Sequence, residues 1–217
     1  MSGPTRRSVL SDNVYERLKS LILEHRLAPE DRVNIDGLAR ELEVSPTPVR
    51  EALVRLESEG LLRKRPLAGY TVSPLLTREQ FDDMFDMRLV LETAAARWAA
   101  TRADEAAREA LRAEASLFSY AVSAPRAHAA FTAADARFHD LVATAAVNPL
   151  LREAIGRLHA HLHLHRLYFP YAETGSTRDE HGVIAAAIGV GDPDAAEAAM
   201  RAHLTAARAR HLSAFDG

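Results

Sequence analysis

The chain contains no cysteine among its 217 residues, which excludes a disulfide framework, a thiolate metal site and a cysteine nucleophile together. It has no uncharged apolar run long enough to span a bilayer. Its first dozen residues hold Arg6 and Arg7 but no apolar stretch of leader length. A soluble cytoplasmic protein without membrane partners is expected. No HExxH helix, glycine-rich phosphate loop or serine elbow occurs, so the usual signatures of zinc hydrolases, nucleotide binders and α/β-hydrolases are missing. Repeats and low-complexity tracts are absent apart from an alanine bias. Basic charge is also scarce, with 27 Lys+Arg against 30 Asp+Glu and a net charge of −3. The deficit is uneven: residues 1–75 carry 12 basic and 11 acidic side chains, residues 76–217 carry 15 and 19. Any affinity for a polyanion must therefore rest on a few placed cations and not on a broad positive field.

What is present is most informative at residues 45–62, SPTPVREALVRLESEGLL. Upstream, Ile35, Leu38, Ala39 and Leu42 share one face of a short helix, and Glu43-Val44-Ser45 makes a tight turn into the next. Ser45 is placed to cap that second helix. Pro46 and Pro48 fall in its first turn, where backbone N–H groups have no intrahelical partner. Val49, Leu53 and Leu56 then bury one face, which leaves Thr47, Arg50 and Arg55 at or beside the outward one. After Gly60, Arg63-Lys64-Arg65 leads through Pro66-Leu67-Ala68-Gly69 into Tyr70-Thr71-Val72, a hairpin with a small tip and positively charged arms. Two helices and a basic wing point to double-stranded DNA.

Residues 21–72 resemble the winged-helix domain of the GntR family of bacterial transcription regulators, the TPVREAL run and the wing being the specific part of the match. The resemblance implies a DNA-reading surface drawn from Ser45, Thr47, Arg50, Arg55, Lys64, Arg65 and Gly69. Three departures bear on the operator. Pro46 and Leu67-Ala68 stand where arginine is frequent in the family, and Asp36 is acidic where many relatives are basic.

A boundary is expected near residues 73–77, giving a winged helix-turn-helix domain over 8–75 and a second domain over 77–215. The second is helical in period, with helices expected at about 77–101, 104–122, 126–145, 149–168, 176–190 and 193–213. Asn148-Pro149 and Asp192-Pro193 supply cap-and-proline starts. The fold class is therefore mainly α: a winged helix followed by an antiparallel all-helical bundle. Asp135 and His139, four apart, share a face with Phe131, Phe138 and Val142. His181 lies on the face of Ile184 and Ile188, and His203 on that of Met200 and Ala207. A single inward histidine is ordinarily a hydrogen-bonded core residue. One carboxylate and three imidazoles turned inward together would cost several kcal/mol each in desolvation and can be satisfied by a divalent cation.

This order and spacing resembles the metal-bearing FCD ligand-sensing domain that follows the GntR head in the FadR subfamily. The resemblance implies that Asp135, His139, His181 and His203 hold a divalent ion, with zinc first and nickel or manganese as alternatives, and that a small carboxylate effector binds at the ion. Arg88 occupies the family's R-x3-E position, where it can clamp that carboxylate or pair with Glu92. His159, His161, His163 and His165 form i,i+4 pairs that read as a solvated or pocket-lining face. His163 and Arg166 are the candidate effector contacts there. The functional expectation is a homodimeric repressor that binds a short inverted repeat and responds to the effector. A metal-dependent hydrolase, or a regulator with a purely structural metal, is the alternative.

Overall fold

The computed structural model describes residues 6–65, 69–117, 125–168 and 175–215 and divides into two compact units, residues 1–75 and 76–217. In the first unit, α1 (Arg6–Leu23) packs on α3 (Pro46–Ser58), with α2 (Ile35–Glu41) against α3 as well. Three short strands complete it: β1 (Arg32–Val33), β2 (Leu62–Arg65) and β3 (Gly69–Val72), in the antiparallel order β1-β3-β2. The aliphatic periodicity explains the packing. Val14, Leu18 and Ile22 from α1 meet Val49, Ala52, Leu53 and Leu56 from α3, closed by Leu61, Leu62 and Val72, all buried. The Asn34 side chain caps α2 by accepting from the Gly37 N–H at 3.0 Å. Glu43 makes the turn into α3 in a left-handed conformation, φ 54. Ser45 holds the N-cap position of α3 in extended backbone, but its side chain makes no capping hydrogen bond. The first turn relies instead on Pro46, whose fixed φ suits N1. In the wing, Lys64 pairs with Tyr70 and Arg65 with Gly69, whose φ of +79 suits a residue without Cβ. The expected tip residues Pro66, Leu67 and Ala68 lie outside the described residues.

The second unit is helical: α4 (Arg78–Arg102), α5 (Glu105–Leu117), α6 (Pro125–Ala145), α7 (Pro149–Arg157), α8 (Ala160–Tyr168), α9 (Gly175–Val190) and α10 (Pro193–Leu212), closed by a 3-10 turn at Ser213–Phe215. Thr77 and Gln80 form a reciprocal capping box that starts α4. Asn148 caps α7 by accepting from Leu151 N–H, and Asp192 caps α10 by accepting from Asp194 and Ala195 N–H. The core of this unit is built largely from alanine. Ala95, Ala96, Ala99 and Ala100 on α4 pack with Ala196, Met200 and Leu204 on α10 and with Ile184 and Ile188 on α9. Side chains this small let helix backbones approach closely.

One expectation needs revision. The single helix expected over 149–168 is two, because His159 adopts φ 45, left-handed backbone that no regular helix continues through. The helix expected over 104–122 is described as far as Leu117, and residues 118–124 lie outside the described set.

Candidate functional site

In the first unit, Ser45, Thr47 and Arg50 are exposed on the first two turns of α3, and Lys64, Arg65 and Gly69 are exposed on the hairpin. Arg55, further along α3 and also exposed, donates to Asp12 on α1 at 2.5 Å and lies over the Tyr15 ring, 3.8 Å from its centroid. Tyr15 is itself anchored, donating to Glu59 at 2.5 Å and accepting from Lys19 at 2.9 Å. Burial and the Glu59 carboxylate push its phenol up beyond the normal range.

The second unit brings the four expected ligands together. Asp135 and His139 stand one turn apart on α6, His181 on α9 and His203 on α10, with one donor atom from each within 4.8 Å of the others. His139 Nε2 and His203 Nε2 are 3.1 Å apart, and Asp135 Oδ1 lies 3.4 Å from His181 Nε2 and 3.9 Å from His139 Nε2. The three imidazoles are buried, and His181 stacks on Phe138 with ring centroids 3.9 Å apart and 11° between planes. Burial drives His139 down to about 4, against the pull of Glu92 and Asp135, and drives His181 down to about 2. Both are neutral near pH 7, each with a nitrogen lone pair to give. Burial alone would raise Asp135, but the hydrogen bond from His161 and the surrounding imidazoles outweigh it and hold the carboxyl well below its usual range.

This arrangement fits a divalent ion. Asp135 Oδ1 is buried and has no hydrogen-bond partner among the described residues. The close Nε2 pair of His139 and His203 has each ring's Nδ1 turned to a carboxylate. A proton on each Nδ1, donated to its carboxylate, leaves two Nε2 lone pairs facing one another. A cation between them, bound by Asp135 and His181 as well, resolves both problems with donors suited to zinc, nickel or manganese.

Three neighbours make contacts to these four residues that the sequence reading did not anticipate. Glu92 on α4 accepts from His139 Nδ1, and Glu180 on α9 accepts from His203 Nδ1 at 2.7 Å. His161 on α8 donates from Nδ1 to Asp135 Oδ2 at 2.9 Å. His165, one turn on, has its Nδ1 2.7 Å from Thr132 Oγ1, so the i,i+4 pair 161/165 is the one that faces α6. The expected contact His163 is half-buried with Arg166 and His159 as its electrostatic neighbours, and burial followed by Arg166 lowers it to about 4. Arg166 is fully buried. Arg88, also buried, donates through Nε to Glu92 at 2.6 Å.

A winged helix with exposed residues on its second motif helix, followed by an all-helical bundle around a buried polar centre, defines a DNA-binding regulator with a separate second domain. Comparison with known proteins makes the class specific. Residues 10–72 match the model of the bacterial regulatory proteins of the gntR family, and residues 83–206 match the FCD domain. The "Putative L-lactate dehydrogenase operon regulatory protein" of Escherichia coli is 30% identical over 90% of this chain and 84% of its own length. The uncharacterised HTH-type transcriptional regulator YdhC of Bacillus subtilis is 34% identical over 42% of this chain, a match that spans 40% of YdhC. The solved structure of E. coli McbR/YncC shares the fold, with a TM-score of 0.72 at 21% identity over 95% of this chain and 98% of that one. The chain belongs to the GntR family of transcription regulators, in the branch that carries an FCD domain. Its relatives and structural neighbours are transcription regulators. No helix among the described residues is long and apolar enough to cross a membrane.

Proposed function

We propose that the protein is a cytoplasmic, homodimeric repressor that releases or tightens on its operator when a small carboxylate binds at a divalent ion in the second unit. The observation that carries the reading is the convergence of Asp135, His139, His181 and His203 around a carboxylate oxygen with no hydrogen-bond partner among the described residues. Four protein donors leave positions on an ion of higher coordination number for an effector oxygen. Arg88 suits the other end of such a ligand. Its Nε is committed to Glu92, while its buried Nη2 has no hydrogen-bond partner among the described residues and retains donors for a carboxylate. His163 and Arg166 on α8 are further candidate contacts. The name of the E. coli relative, tied to an L-lactate dehydrogenase operon, makes 2-hydroxy acids the first effectors to try.

On the DNA side, Thr47 and Arg50 read bases from α3 and Lys64 and Arg65 contact phosphate from the wing, with Ser45 and Gly69 close to the backbone. One head with so little excess charge reads few base pairs, so two heads act on one inverted repeat. The deep burial of the imidazoles also suits a purely structural metal. The test is elemental analysis followed by operator titration, with and without carboxylates, of the metal-loaded and chelated protein. About one divalent ion per chain, and an effector response that chelation abolishes while the fold persists, supports sensing. A chelated protein that unfolds, or that binds DNA identically with every ligand, supports a scaffold.

A further inference from the structure

Two of the three imidazoles are held by the same three-member chain of groups. On one side Arg88 Nε donates to Glu92 Oε1 at 2.6 Å, and the other oxygen of Glu92 accepts from His139 Nδ1. On the other side Arg210 grips Glu180 with two donors, Nη1 to Oε1 at 2.7 Å and Nη2 to Oε2 at 2.9 Å, and Glu180 Oε2 accepts from His203 Nδ1 at 2.7 Å. The two chains of groups start on different helices, α4 and α10, and end at Nε2 atoms 3.1 Å apart. His181, the third imidazole, stacks on Phe138, and its Nε2 lies 3.4 Å from Asp135 Oδ1.

We propose that Glu92 and Glu180 are positioning residues for the ion: each holds its histidine as the Nδ1–H tautomer with Nε2 aimed at one point, and Arg88 and Arg210 hold the two carboxylates in place through the hydrogen bonds they donate. This rests on the metal reading above. The physical reason is that an imidazole can turn either nitrogen to a metal, and a carboxylate on one nitrogen fixes both the proton and the ring plane while making the other nitrogen more basic. The two arms are not equal. Arg88 and Glu92 side chains are 2% and 4% exposed, whereas Arg210 and Glu180 are 20% and 22% exposed. Water can replace part of what Glu180 does and little of what Glu92 does, so the buried arm is the more demanding. It also gives Arg88 a task independent of any effector: the R-x3-E spacing on α4 places the arginine to hold the glutamate, and the glutamate to hold His139.

The experiment is done first without metal. Chelated protein with 15N-labelled histidine, at a pH where the imidazoles are neutral, reports the tautomer of each ring through its two nitrogen shifts. His139 and His203 are expected as Nδ1–H. In Glu92→Gln the amide can offer its NH2 to Nδ1, and His139 should switch to Nε2–H while His203 stays unchanged. Glu180→Gln should do the reverse, less completely. Cobalt(II) titration then reads the consequence: about 10–100-fold weaker binding for Glu92→Gln, a smaller loss for Glu180→Gln, and a shifted visible spectrum in both. Glu92→Asp, which keeps the charge, should recover part of the affinity. Nε2–H tautomers in the parent, or cobalt affinity and spectra unchanged in both Gln variants, would overturn the proposal. Parent protein that shows the expected tautomers yet takes up no metal would leave the orienting role standing and sink the metal reading instead.

Discussion

The two units of this chain put their charge in opposite places. In the first, the described buried polar side chains are Ser11 and Ser73, and Thr47, Arg50, Lys64 and Arg65 all stand in water. In the second, Arg88, Glu92, His139, His165, Arg166, His181 and His203 are buried. A surface meant for a polyanion works by long-range attraction and counterion release, so its cations are useful only where solvent and phosphate can reach them. A centre meant for a small ion works by the reverse logic. Desolvation that would be ruinous for isolated groups makes every converging donor strong, provided each is paired. The proposed function therefore gives one chain two recognition chemistries, and the modest net charge of −3 conceals both.

The contrast can be broken or sharpened by substitution. The largest effect is expected for His181→Ala combined with His203→Ala, which removes two of four donors. Metal content measured on purified protein should fall from about one ion per chain to near none, and unchanged content would place any ion elsewhere. Next comes the apolar core of the head. Leu56→Ala should cost about 2–5 kcal/mol in denaturant or thermal unfolding of the first unit, and metal content should not change if the units are as separate as their charge placement suggests. Arg50→Ala should cost about 1–3 kcal/mol at a selected operator and relax its sequence preference. Arg55→Ala sharpens that result, because its guanidinium is spent on Asp12 and Tyr15. It should lower stability by about 0.5–1 kcal/mol and weaken operator binding less than Arg50→Ala does. Lys64→Ala, a phosphate contact if the wing lies on the backbone, should weaken specific and random DNA alike and reduce the salt slope by about one. Parallel effects of Arg50→Ala and Lys64→Ala on sequence preference would erase the distinction between reading and anchoring within the head.

How far the sequence carried depended on whether the partners were close along the chain. The α3 pattern and the convergence of Asp135, His139, His181 and His203 were legible because helical spacing alone shows which face a side chain takes, and the family's order of residues supplied the grouping. Asn148-Pro149 and Asp192-Pro193 gave helix starts where the structure has them. The support around the centre was not legible. Arg88 and Glu92 were visible as a pair, but their third member, His139, is 47 residues away. Glu180 looked like one more acidic side chain beside His181. His161 was passed over for His163 because an unbroken helix over 149–168 gives no reason to prefer either register. The break at His159 decides it, and nothing in the residue type announces a left-handed turn at a histidine.

A chain this rich in the plainest of side chains looks free to drift in sequence, since each alanine contributes little contact area. Yet Ala96, Ala99 and Ala196 are wholly buried between helices, where even one added methyl must displace a neighbouring backbone and cost about 1–3 kcal/mol. Displaced backbone on α4 or α10 would carry Glu92 or His203 with it, so the Nε2 atoms held 3.1 Å apart are gauged by side chains that touch no ion. The blandest positions of the sequence are thus among those with the least room for a larger side chain.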